Sequence, residues 1–160
     1  MKPFRFLLLI SLLFLFEKAW TQNVYSPEST CKEVLRLIST GNEDWEAFRS
    51  LFVASATFSV VSEHAGNGPQ ATTFALEDFV RIFLSGSDRS FTETELRAEV
   101  KTYNGIAQVW QTYEADINGN KNQGINAIQL IYHNNRWWIT NVVWSNNSNG
   151  TAIPDQYLPH

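Results

Sequence analysis

From Phe91 to Trp144 the chain reads as strands joined by very short turns, and this meander limits the possible folds more than any other feature. Asn104-Gly105 is a strong two-residue hairpin signal, because both positions tolerate positive φ. Asn118-Gly119-Asn120 and His133-Asn134-Asn135 mark two further turns. Strands are expected over 91–103, 106–117, 124–133 and 136–145. The last strand does not alternate. Its odd positions are Trp137, Ile139, Asn141 and Val143, and its even positions are Trp138, Thr140, Val142 and Trp144. A strand with one wet face alternates apolar and polar residues, so both faces of this one need cover.

Upstream the period is helical. Ser29 or Thr30 caps a first helix, with Glu33 closing a capping box and Val34, Leu35, Leu37 and Ile38 as its stripe. Gly41 ends it. Asn42 caps a second helix, whose Trp45, Phe48, Leu51 and Phe52 repeat on one buried face. Residues 56–61 read as a strand and residues 62–73 as a loop. Thr73 caps a third helix through Leu76, Phe79, Val80 and Phe83 to Ser85-Gly86. Helices collected before a run of hairpins imply an α+β domain, with one strongly curved antiparallel sheet wrapped around three N-terminal helices.

The ends read differently. Lys2 and Arg5 precede an apolar run of 11 residues, Phe6 to Phe16, and Ala19-Trp20-Thr21 supplies small residues at the cleavage positions. The run is too short to span a bilayer, which takes about 20 residues, and matches a secretory signal over 1–21. An uncleaved N-terminal anchor is the alternative. A secreted or periplasmic domain over 22–146 follows, then an irregular tail over 147–160. Losing Lys2, Arg5, Lys18 and Glu17 takes the 12 basic and 16 acidic residues to 9 and 15, a net charge of −6. That argues against a nucleic-acid partner and against an anionic membrane surface. Cys31 is the only cysteine, which removes any intrachain disulfide and any cysteine-based metal cluster. It reads as a partly buried helix residue.

Four motifs stand in order: FTETEL at 91–96, GIAQVWQTYEA at 105–115, GINAIQL at 124–130 and RWWI at 136–139, with Trp144 closing. Together they resemble the nuclear transport factor 2-like superfamily in its SnoaL-like bacterial branch, over roughly residues 30 to 146. The resemblance implies a cone-shaped α+β roll with a pocket at its mouth. It also implies homodimers formed through outer sheet faces, here Trp138, Val142 and Trp144; a C-terminal tail folded over that face is the alternative. The superfamily hosts isomerases, dehydratases, cyclases and proteins without known activity, so a pocket is implied and a reaction is not.

Its enzymes place an Asp or His base in a greasy cavity. His64 lies in the loop near the expected mouth, where it is either a general base or an ordinary exposed histidine. Glu93 and Glu95 share a strand face that Arg97 and Glu99 continue, either as a wet charge ladder or as buried carboxylates. Tyr113 shares its parity with Ala107 and Val109 and is assigned to the cavity. Gln129, among Ile125, Ala127 and Ile131, and Asn141, beside Trp137 and Ile139, read as buried amides that need partners. The catalytic candidates are therefore His64, Glu95 and Tyr113; ligand contacts are expected from these together with Gln129 and Asn141. There is no serine elbow, metal-ligand cluster or phosphate-cradling glycine loop, and no cofactor is expected. The expected role is binding of a small, largely apolar molecule or assembly, with an isomerase- or dehydratase-like acid/base enzyme as the alternative.

Overall fold

The computed structural model describes residues 26–64, 68–86 and 89–159, with the side chains of Glu63 and His64 excepted. The expected signal over 1–21 and its cleavage site lie outside the described residues. Helix α1 spans Pro27–Ile38 and α2 spans Trp45–Arg49. Strands β1 (Phe52–His64) and β2 (Gly68–Ala75) form a hairpin, followed by α3 (Leu76–Ser85). Then come β3 (Phe91–Tyr103), β4 (Ile106–Ile117), β5 (Asn120–His133) and β6 (Arg136–Asn146).

The four-strand meander has the expected turns. Asn104-Gly105, Asn118-Gly119 and Asn134-Asn135 all take positive φ, so each closes a two-residue hairpin. The order helix, helix, strand, helix is as expected, so that of the three helices two precede the first strand and α3 follows the β1–β2 hairpin. Two expectations need correction. The stretch 62–73 is largely strand: β2 is an edge strand whose Pro69–Thr73 segment is exposed, so it carries no apolar alternation. The sheet is mixed, with order β2-β1-β6-β5-β4-β3, and β1 runs parallel to β6.

Helix starts also shifted. Ser26 caps α1, its side chain accepting from the Ser29 amide, with Pro27 in the first turn where the missing N–H costs nothing. Asp44 caps α2 through the Ala47 amide. Thr73, expected to cap α3, instead pairs with Ser59 across the hairpin at 2.9 Å.

Two bulges decide which side chains face the helices. In β3, Glu95 pairs with Tyr113 but Arg97 pairs with Thr112, leaving Leu96 as an extra residue. In β6, Ile139 pairs with Leu130 but Asn141 pairs with Gln129, leaving Thr140 extra. An extra residue bends its strand and reverses the parity beyond it. Glu93 and Glu95 therefore lie on the helix side, while Arg97 and Glu99 pair with each other on the other side at 3.1 Å. Val142 and Trp144, expected on the outer face, are on the inner one. Val142 is in the core and Trp144 meets Phe79 edge-on, ring centroids 6.0 Å apart. Trp138 lies before the bulge and stays on the outer face, half-buried beneath the Arg136 guanidinium.

The core is aromatic. Phe48, Phe52, Phe58 and Phe79 form a continuous stack, with Phe58 and Phe79 centroids 4.2 Å apart. Cys31 is fully buried against it, and burial raises its thiol pKa. The tail folds back over the outer face at β3 and β4. Thr112 Oγ1 donates to the Tyr157 carbonyl at 2.8 Å, Arg97 Nη1 donates to the Leu158 carbonyl at 3.1 Å, and Tyr157 packs on Trp110. No described helix is long and apolar enough to cross a membrane.

Candidate functional site

A cavity of about 170 Å³ opens between α1, α3 and the inner face of the sheet. Its walls are apolar: Val34, Leu35 and Ile38 from α1, Phe79 and Phe83 from α3, and Phe58, Phe91 and Trp144 from the sheet. Among the described residues two titratable side chains line it, Glu93 and Tyr113, together with the amides of Asn122, Asn126 and Asn146.

The end of α1 holds Glu93 in place. The Thr40 amide donates to the Phe91 carbonyl at 2.7 Å, and the Phe91 amide donates to Thr40 Oγ1 at 2.8 Å. The Glu93 amide then donates to Ser39 Oγ at 3.0 Å. This turn satisfies edge-strand groups of β3 that a further strand would otherwise pair. The Glu93 carboxyl has no hydrogen-bond partner among the described residues, and burial pushes its pKa up to about 8. By area the residue is only half-buried. The desolvation governs its charge, because ionisation responds to the medium several ångströms around the oxygens rather than to whether one probe can touch them. At pH 7 Glu93 is thus mainly a neutral acid, able to donate a hydrogen bond.

Tyr113 points into the same hollow, packed by Leu35, Ala115 and Phe91. Burial raises its pKa, with the Glu93 carboxyl adding to the effect, so the phenol stays protonated. Its partner across the β4–β5 ladder is Gly124. A Cβ built at Gly124 would lie 2.3 Å from the Tyr113 hydroxyl and 2.5 Å from the Ser145 carbonyl. The bare glycine is what allows the ring to lie over β5. Gly124→Ala is expected to cost about 1–3 kcal/mol through overpacking and to displace the hydroxyl. A urea midpoint equal to wild type would show that this close approach has no consequence.

Beside Tyr113 a polar chain runs inward from the exposed Lys32. Lys32 Nζ is 3.9 Å from Glu95 Oε1, Gln111 Nε2 donates to Glu95 Oε2 at 2.8 Å, and Asn126 Nδ2 donates to Gln111 Oε1 at 3.2 Å. Gln111 is fully buried, and Asn126 reaches the cavity wall.

The other expected site residues lie elsewhere. Gln129 is exposed on the outer face, because the ladder puts Ile128 and Leu130 inside. The apolar neighbours that suggested burial, Ile125, Ala127 and Ile131, belong to the face the tail partly covers. Asn141 lies past the bulge and donates to Thr57 Oγ1 at 2.8 Å, tying β6 to β1. Glu95 is buried but does not line the cavity. His64 ends β1, and its side chain is outside what the structure describes. Glu93 enters the sequence reading only beside Glu95, as a carboxylate either in a wet ladder or buried, and Gln111 and Asn126 were not singled out as site residues. Among the described residues no three metal-binding side chains cluster.

A curled sheet closed around helices, with a hollow at its open end, defines the cone-shaped α+β rolls. Within that class, an NTF2-like protein from Cytophaga hutchinsonii superposes at a TM-score of 0.60 and 14% identity, over 74% of this chain and 93% of the other. A proposed dehydratase from the NTF2-like family of Streptomyces avermitilis gives 0.56 at 13% identity, over 77% and 94%. The beta subunit of the benzoate 1,2-dioxygenase from Burkholderia mallei gives 0.59 at 12% identity, over 79% and 91%. No family model matches the chain and no curated protein is a significant match. The chain has the nuclear transport factor 2-like fold. At these identities the likeness speaks to fold alone, and the neighbours' roles are mixed.

Proposed function

We infer that this domain binds a small, largely apolar molecule carrying a carbonyl-type acceptor. The single observation behind this reading is the pair of neutral donors, the Glu93 carboxyl and the Tyr113 hydroxyl, that share one apolar hollow without hydrogen-bond partners among the described residues. Buried donors without partners cost free energy, and an acceptor arriving between them recovers it. Volume limits the guest: a cavity of about 150 Å³ lined by aliphatic and aromatic residues accepts one benzene ring, and this one is about 170 Å³.

An isomerase- or dehydratase-like activity is the second reading. A neutral carboxylic acid beside a phenol can stabilise a developing oxyanion. Proton abstraction also requires a base, and among the described residues no other titratable group lines the hollow. Binding therefore has the stronger support. Kinship to the SnoaL-like branch rests on the strand motifs at 91–96, 105–115, 124–130 and 136–139.

Acetophenone, one ring with one carbonyl, is a suitable probe, and quenching of Trp144 fluorescence should follow its entry. Saturable binding at pH 6 that weakens above pH 8 is expected, since Glu93 loses its donor proton there. Binding indifferent to pH, or absent at millimolar probe, would remove this reading.

Secretion after loss of residues 1–21, and a homodimer, complete the proposal. The dimer surface would be the part of the outer face beyond the tail. Tyr103, Ile106, Ile131 and Trp138 are laterally paired there in one row, and the first three are exposed.

A further inference from the structure

We propose that Glu95 is a positioning residue that fixes the direction of the Asn126 amide, so that the cavity reads a hydroxyl on the ligand's ring as well as its carbonyl, making single-ring phenolic ketones and aldehydes the preferred ligand class. This deepens the binding reading above and rests on it.

The chemistry follows from what each group can accept or donate. A glutamate paired with Lys32 is acceptor-only. Gln111, fully buried beside it, must therefore turn its NH₂ toward Glu95, as the 2.8 Å contact records. That leaves the Gln111 carbonyl oxygen for its other neighbour. Asn126 must then offer its own NH₂ to Gln111, at 3.2 Å. Two amides that could each adopt either of two flips are thus set by one charge. The consequence falls on the cavity wall, where the Asn126 carbonyl oxygen is left without a partner among the described residues and accepts from the ligand. Without Glu95 the pair can reverse, and the wall offers NH₂ instead.

Placement fits a ring. Tyr113 pairs with Gly124, two residues before Asn126 on the same face of β5. Diagonal neighbours of this kind have Cα atoms about 7–8 Å apart. A para-disubstituted ring can bridge the Glu93–Tyr113 donors at one end and the Asn126 oxygen at the other, against Phe79 and Trp144.

The test compares acetophenone, 4-hydroxyacetophenone and 4-methoxyacetophenone by calorimetry on the full chain. Wild type is expected to prefer the hydroxy compound over the methoxy compound by about tenfold, the size of one satisfied against one unsatisfied buried acceptor. Glu95→Gln, which keeps shape and loses the charge, should reduce that ratio to within about twofold while leaving acetophenone affinity close to wild type. Asn126→Leu, which removes the acceptor itself, should also bring the ratio to within about twofold, and serves if Glu95→Gln loses its native near-ultraviolet circular dichroism. A wild-type ratio near one, or a ratio unchanged in both variants, overturns the inference while the carbonyl reading stands. Failure of all three ketones to bind overturns both.

Discussion

Raising the pH from 5 to 9 is expected to destabilise this protein, and Glu93→Gln is expected to abolish most of that loss. The reason is the pKa of Glu93, pushed up to about 8 in the folded chain by burial, from an ordinary value of 4.5. Between those values the native state keeps a proton that the unfolded chain has released. Stability therefore falls as pH rises through that window and becomes flat above it. At about 1.4 kcal/mol per unit, the full contribution is about 3–5 kcal/mol. Chemical denaturation at pH 5, 7 and 9 would read it directly. Glu93→Gln should show a shallow profile and exceed wild type at pH 9. The two profiles running parallel would mean that the Glu93 carboxyl is hydrated and ionised like any surface glutamate, and the donor pair in the cavity would go with it.

The strand meander was legible because its turns are. Asn104-Gly105, Asn118-Gly119 and Asn134-Asn135 require positive φ, and the three hairpins formed as expected. The two-residue turn at Asn118-Gly119 also contained a signal that reading each strand alone missed. It pairs Ile117 with Asn120, which makes Gln111 face Asn126 and Val109 face Ile128. Once Tyr113, Val109 and Ala107 are taken as inward, Asn126 must be inward and Gln129 outward. Local composition pointed the other way, because the tail's contacts with β3 and β4 make part of the outer face apolar too. β2 was illegible for the opposite reason: an exposed edge strand of Gln and Thr has no burial to record in its sequence. The inward turn of Glu93 follows from the bulge at Leu96, and the tether from Ser39 and Thr40 that holds this strand edge spans more than fifty residues; no local pattern encodes either.

The bulge at Thr140 accounts for the misplacement of Trp144 and gives the second large effect. Counting every second residue from Trp138 puts Trp144 outside, where a glutamate would be harmless to the fold and would split an outer-face dimer. One extra residue reverses this, and Trp144 faces Phe79 on the inner side. Trp144→Glu therefore removes a large aromatic contact and places a carboxylate against Phe79 and Val142. Truncating such a residue alone costs about 3–5 kcal/mol, and the desolvated charge adds to that. The variant should lose its native near-ultraviolet spectrum, or melt at least 10 °C below wild type. Trp138→Glu, before the bulge, should keep the wild-type spectrum and melting point. If the outer row at Tyr103, Ile106 and Ile131 joins two copies, light scattering on Trp138→Glu should give half the wild-type mass. A Trp144→Glu variant as stable as wild type would place that side chain in water, and the parity reversal at Thr140 would have to be abandoned.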